Sequence, residues 1–292
     1  MIAANPERHR SAPRLRLLFP LLVLGACTTE HPEIPEHETK PIVMNKDVTA
    51  KVAADIASSQ SAAGNPAGAV AFYRRALETN PNQPKVEVSL GMAQLQAGSP
   101  GEAANTFRKV ISRFPQDTGA LTGLGMALVQ LGQPAAALDP LRKSVAITPD
   151  PRGYRTLGVA ENLLGQNPQA EADYSRGLTL APDDPGLNNN LGLSMALSGN
   201  FNGAIAVLRR TATGPNATPQ SRQNLALALG LAGRTTEAAQ MARADLDEPS
   251  VQSNLAYYAV LRGMSPRDRT EALLKPQGTP SSAAQTRVTP PH

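Results

Sequence analysis

Between residues 50 and 262 apolar side chains recur three and four positions apart, the period of helices that bury one face. Glycine punctuates this pattern at Gly64, Gly98, Gly132, Gly165, Gly199 and Gly233, at separations of 34, 34, 33, 34 and 34 residues. Self-similarity at such a period marks a solenoid of stacked units. Alanine follows each glycine by five residues, at Ala69, Ala103, Ala137, Ala170, Ala204 and Ala238. Two small residues in fixed phase predict a tight turn and then a close helix contact. Leu-Gly or Leu-Ala pairs at 90/91, 124/125, 157/158, 191/192 and 225/226 fall before the turn glycines, where small residues let two helices approach.

Helix starts and stops agree with this division. Pro66, Pro100, Pro134 and Pro168 open the second helices, where a missing N–H costs nothing, and Pro81, Pro115, Pro149 and Pro182 close the units. The expected fold is all-α, with six helix-turn-helix repeats at 50–83, 84–117, 118–150, 151–184, 185–218 and 219–248. A lone helix from Pro249 to Arg262, ended by Gly263, caps them. No unit can bury its apolar face alone, so stacking supplies the core. Pro140, inside the second helix of the third unit, should kink that helix at a cost of about 3 kcal/mol.

Composition narrows the chemistry. Among 292 residues there is no Trp and aromatics make up 3%. Residues 1–26 hold Arg8, Arg10, Arg14 and Arg16 against Glu7, so +3 of the formal +4 sits there and +1 remains for the rest. Such a chain offers no electrostatic case for nucleic acid. The histidines are His9, His31, His37 and His292 and the only cysteine is Cys27, all outside the periodic region. That region therefore lacks Cys/His nucleophiles, imidazole bases, thiolate metal sites and disulfides. It also lacks a phosphate-cradling loop, G-x-S-x-G, H-E-x-x-H and a calcium loop. Carboxylates, Ser and Lys remain, but no residue earns a catalytic or metal-binding role. The reading is a non-enzymatic protein with no cofactor and no small-molecule substrate.

The N-terminus has the layout of a signal peptide over residues 1–26, with arginines at 8–16, a short apolar run from Leu15 to Leu24, then Gly25-Ala26-Cys27. The run is too short to span a bilayer. Leu24-Gly25-Ala26-Cys27 resembles the bacterial lipobox, which implies acylation of Cys27 and a membrane anchor; Thr28, by the enterobacterial sorting rule, points to the outer membrane. Residues 27–49 read as a lipidated cysteine and flexible tether, about 25 Å long as a coil. Residues 264–292, with KPQGTPSSAAQTRVTPPH from Lys275, read as a mostly disordered tail.

Leu-Gly, then Ala, then Tyr73, Phe107, Leu141, Tyr174 or Leu208, then Pro, at this period, resembles the tetratricopeptide repeat, with Ala242 replacing the large residue in the sixth unit. The resemblance implies a right-handed solenoid over 50–263 whose first helices line a concave peptide-binding groove. Carried over by position, the groove would comprise Val88, Met92 and Leu95, then Met126 and Val129, then Arg155 and Asn162. Asn189 and Asn190 follow, then Gln223 and Asn224. Asn190, Asn224 and Asn254 each precede leucine at one phase, and amides that both donate and accept can pair with an extended peptide backbone. Alternatively each bonds a neighbouring turn, and the methionines pack in the core. The closing stretch QNLALALGLAGRTTEAAQMARADLDEPSVQSNLAYYAVLRG, with the lipobox and tether, is similar to the TadD family of Flp (tight adherence) pilus assembly lipoproteins. That likeness implies an outer-membrane lipoprotein facing the periplasm, with a secretin or another pilus component as partner. The other reading is a general periplasmic scaffold for cell-envelope enzymes.

Overall fold

The computed structural model describes residues 45–215 and 217–274; the signal peptide, Cys27, most of the tether and the tail from Lys275 lie outside them. The described residues form fourteen α-helices and no strand. Six pairs follow the expected units: α1 (Lys46–Ala62) with α2 (Pro66–Thr79), α3 (Pro84–Gln96) with α4 (Pro100–Arg113), and α5 (Thr118–Gln130) with α6 (Pro134–Ile147). Next come α7 (Pro151–Leu163) with α8 (Asn167–Leu180), α9 (Pro185–Ser198) with α10 (Phe201–Ala212), and α11 (Pro219–Leu231) with α12 (Thr235–Ala242). They are followed by α13 (Glu248–Arg262) and α14 (Pro266–Leu274).

All six turn glycines have φ between +69° and +93°, a region that costs a side chain strain but not glycine. The residue after each glycine folds back to satisfy a carbonyl of the finished helix. Ser99 N–H, for example, donates to the Gln94 carbonyl at 2.8 Å. First helices other than α3 start on side-chain caps. Asp117, Asp150, Asp184 and Asp247 each accept from the backbone N–H three residues on, and Thr218 with Ser221 forms a reciprocal capping box.

Within a unit, a small residue of the first helix receives a large one of the second. A Cβ on Gly91 would meet Phe107 at 2.6 Å, on Gly125 Leu141 at 2.3 Å, on Gly158 Tyr174 at 2.5 Å and on Gly192 Leu208 at 2.4 Å. In the sixth unit the equivalent positions are Ala226 and Ala242, both buried, so loss of the large side chain is matched by a larger partner. The alanines five residues after the turns are fully buried. Helix α6 runs through Pro140 as one element, with the proline buried.

Two boundaries move. α1 begins at Lys46, inside the stretch read as tether, because Asn45 caps it by accepting from Asp47 N–H. The reading of 264–292 as mostly disordered is corrected for 266–274, which form α14. Ser265 starts that helix by accepting from Asp268 N–H and donating to its carboxylate. α13 takes a first-helix place beside α11 and α12, as a cap should, whereas α14 turns back onto α7 and α9.

Candidate protein-binding surface

Successive first helices touch one another, α3 on α5, α5 on α7, α7 on α9, α9 on α11 and α11 on α13. They form the inner layer of the solenoid, the face that such folds use for binding. Val88, Met92 and Met126 are half-buried beside Phe107 and line a depression of about 360 Å³ together with Thr122 and Arg152. Val129 packs beside Leu128 and Leu141. Leu95 is 5% exposed and belongs to the core around Phe107, so no ligand reaches its side chain.

Further along, Arg155 Nη1 lies 3.6 Å from Asp184. The Asn189 amide oxygen accepts from Thr211, and that of Asn224 accepts from Gln220. Asn190 lines a pocket of about 180 Å³ with Val159, Leu163 and Leu193. Asn190 and Asn254 have no hydrogen-bond partner among the described residues, whereas the Gln223 amide is buried beside Asp245. The neighbouring turns do not consume these amides.

Asn162 is different. It is buried, accepts from Tyr174 Oη at 2.9 Å, and donates to Asn167 and Ser194, both at 2.9 Å. Asn167 in turn donates to Thr270 of α14 at 3.0 Å. This network ties α7, α8, α9 and α14 together and no spacing in the sequence announces it. Arg269, 4% exposed, pairs with no carboxylate among the described residues. It donates to the carbonyls of Ala196 and Leu197 at the end of α9, to those of Leu261 and Met264, and lies 5.1 Å from the Phe201 ring centre. A cation at a helix C-terminus is favoured by the helix dipole, and burial lowers the pKa of this guanidinium. Ser265, Pro266 and Asp268, a helix-start signature, were the sequence signal for this element.

On the opposite side, Glu161 and Asp173 meet in a hollow of about 420 Å³ rimmed by Arg142 and Arg176. Glu161 accepts from Arg142 at 3.1 Å through one carboxylate oxygen, and the other has no donor. Burial pushes the Glu161 carboxyl up, and Asp173 adds to that against the hydrogen bond from Arg142. Burial and then Glu161 push the Tyr174 hydroxyl up as well. Among the described residues no group of three His, Cys, Asp or Glu side chains could hold a metal, and no helix is long and apolar enough to cross a membrane.

Stacked helical pairs with a continuous inner face define a repeat scaffold. Two stretches match sequence models of the tetratricopeptide repeat, one over residues 88–150 and another over 219–244. No curated protein matches the chain. Among solved structures, PilW, a widely conserved type IV pilus biogenesis factor, is similar over 70% of this chain and 98% of its own, at 20% identity and a TM-score of 0.62. A thermophilic tetratricopeptide-repeat protein of Thermus thermophilus is similar over 62% and 98%, at 23% identity and a TM-score of 0.55. One from Parabacteroides merdae is similar over 72% and 84%, at 15% identity and a TM-score of 0.56. These likenesses concern the fold alone.

Proposed function

We propose that this protein is a non-catalytic scaffold, anchored in the outer membrane through acylated Cys27, that assists assembly of a Flp-type pilus by binding the secretin or one of its partners along the inner face. The observation that carries the binding site is the set of uncommitted amides at one phase, Asn190 and Asn254 together with the free –NH₂ of Asn224. Asn190 also lies at the mouth of an apolar pocket. Amides with open donors and acceptors suit the backbone of an extended peptide, and the pocket suits its apolar side chains. The pilus reading is supported by the likeness of the lipobox and closing stretch to the TadD family, and by the fold shared with PilW.

The test is a crosslinking pull-down from membranes of the native bacterium, with partners identified by mass spectrometry. Recovery of a secretin or another pilus-assembly component, reduced in Asn190→Ala with Asn224→Ala while circular dichroism stays unchanged, is the expected result. Recovery of cell-wall enzymes alone moves the assignment to a general envelope scaffold. Persistence of Cys27→Ser in the outer-membrane fraction discards the anchor.

A further inference from the structure

Equivalent positions in successive first helices share one fate, except in α1. The position of Ile56 recurs at Leu90, Leu124, Leu157, Leu191 and Leu225, all of them buried or partly buried. The position of Val52 recurs at Val86, Ala120, Gly153, Leu187 and Ser221, again buried or partly buried. In each case the cover comes from the second helix of the preceding unit, α2 on α3, α4 on α5 and onward to α10 on α11. α1 has no preceding second helix among the described residues. Val52 and Ile56 are accordingly 45% and 38% exposed, and Val48, one turn ahead at a position that falls in exposed linkers elsewhere, is 50% exposed. They lie at i, i+4 and i+8, one stripe about 12 Å long. An apolar side chain kept at a buried phase yet left open calls for a partner surface.

We propose that this stripe pairs two copies of the chain, α1 lying antiparallel to α1 of the second copy across a two-fold axis. Val52 sits on the axis and Val48 packs against Ile56 of the second copy. Charge favours this occupant. Lys51 and Asp55 flank the stripe and make no ion pair among the described residues. In an antiparallel pair each Lys51 comes beside Asp55 of the other copy, twice by symmetry, the self-complementarity of an isologous contact. A lipid surface favours a polar face rich in Lys and Arg, whereas α1 carries Lys46 and Lys51 against Asp47 and Asp55. One helix pair falls short of the roughly 1,200 Å² of a stable interface, so the dimer is weak in dilute solution and is best trapped in the cell.

The test is mild oxidation of cells making the full chain with Val52→Cys, followed by non-reducing electrophoresis. A band at twice the monomer mass is expected, absent from the unsubstituted chain and from Lys85→Cys, an exposed position off the stripe. Adding Lys51→Asp should weaken the band about fivefold, and adding Asp55→Lys as well should restore it. A monomer throughout, an adduct with a different protein, or a dimer band indifferent to the charge reversal overturns the pairing.

Discussion

The Asn167 amide donates a 3.0 Å hydrogen bond to the Thr270 hydroxyl, across 103 residues of chain. Both side chains are buried, and this is the only acceptor among the described residues for that amide nitrogen. Thr270→Val keeps the volume but orphans the donor, a loss of about 1–3 kcal/mol. Thermal melting should fall by several degrees. An unchanged melting curve would mean that water replaces the hydroxyl freely.

Arg269 holds α14 in place through backbone carbonyls of α9, α13 and the turn after it. Arg269→Met removes every one of these donors, each charge-assisted bond contributing about 1.5–3 kcal/mol. Amide hydrogen exchange in 266–274 and at the end of α9 should accelerate more than about tenfold, while α3 to α6 keep their protection. Arg269→Lys should rescue little, since an ammonium cannot fork to several carbonyls. Full protection in either variant would show that Leu273 and Ala272, packed beside Leu261, suffice to hold the helix.

Two glycines in helices should respond in opposite directions to alanine. At Gly158 the new Cβ meets Tyr174, which is fully buried and pinned by Asn162, so the cost is about 1–3 kcal/mol. At Gly101 it meets nothing, and the gain in helix propensity is up to about 1 kcal/mol. Denaturant titration of both variants decides the matter, and equal shifts would contradict the small-to-large pairing within units.

The Glu161 carboxyl is raised above its ordinary 4.5, chiefly by burial, so the folded state holds that proton more tightly than the unfolded chain. Its contribution is complete below 4.5 and is lost as pH rises through the raised value. Burial raises it most, Arg142 opposes through its hydrogen bond, and Asp173 adds to the rise. Glu161→Gln keeps shape and hydrogen-bonding capacity without the titration. Its melting temperature should gain on that of the unsubstituted chain as pH increases from about 4 to about 8; parallel profiles would remove Glu161 from the pH response.

The repeat was legible because its signals are local. Turn glycines must accept positive φ, prolines open helices, and a small residue in one helix faces a large one in the next. The inner face was legible only by phase, and phase does not say what a neighbour already uses. Leu95 and Asn162 occupy groove positions, yet the first is spent on the core and the second on a network reaching α14. α14 itself escaped because PRDRTEALL is polar, and Arg269 and Thr270 are buried by helices far away in sequence. Glu161 likewise gives no sign of its carboxyl neighbour, which only the packing of α7 on α8 brings near.

The return of α14 onto α7 and α9 also changes how the molecule carries load. A solenoid whose units touch only their neighbours peels one unit at a time when pulled from either end. Here tension applied beyond Leu274 falls first on the buried Arg269 and Thr270, which share it among α8, α9 and α13. Tension applied ahead of Asn45 meets α1, which among the described residues packs chiefly on α2. Among the described residues, the C-terminal end is the one fastened by bonds that bridge distant units.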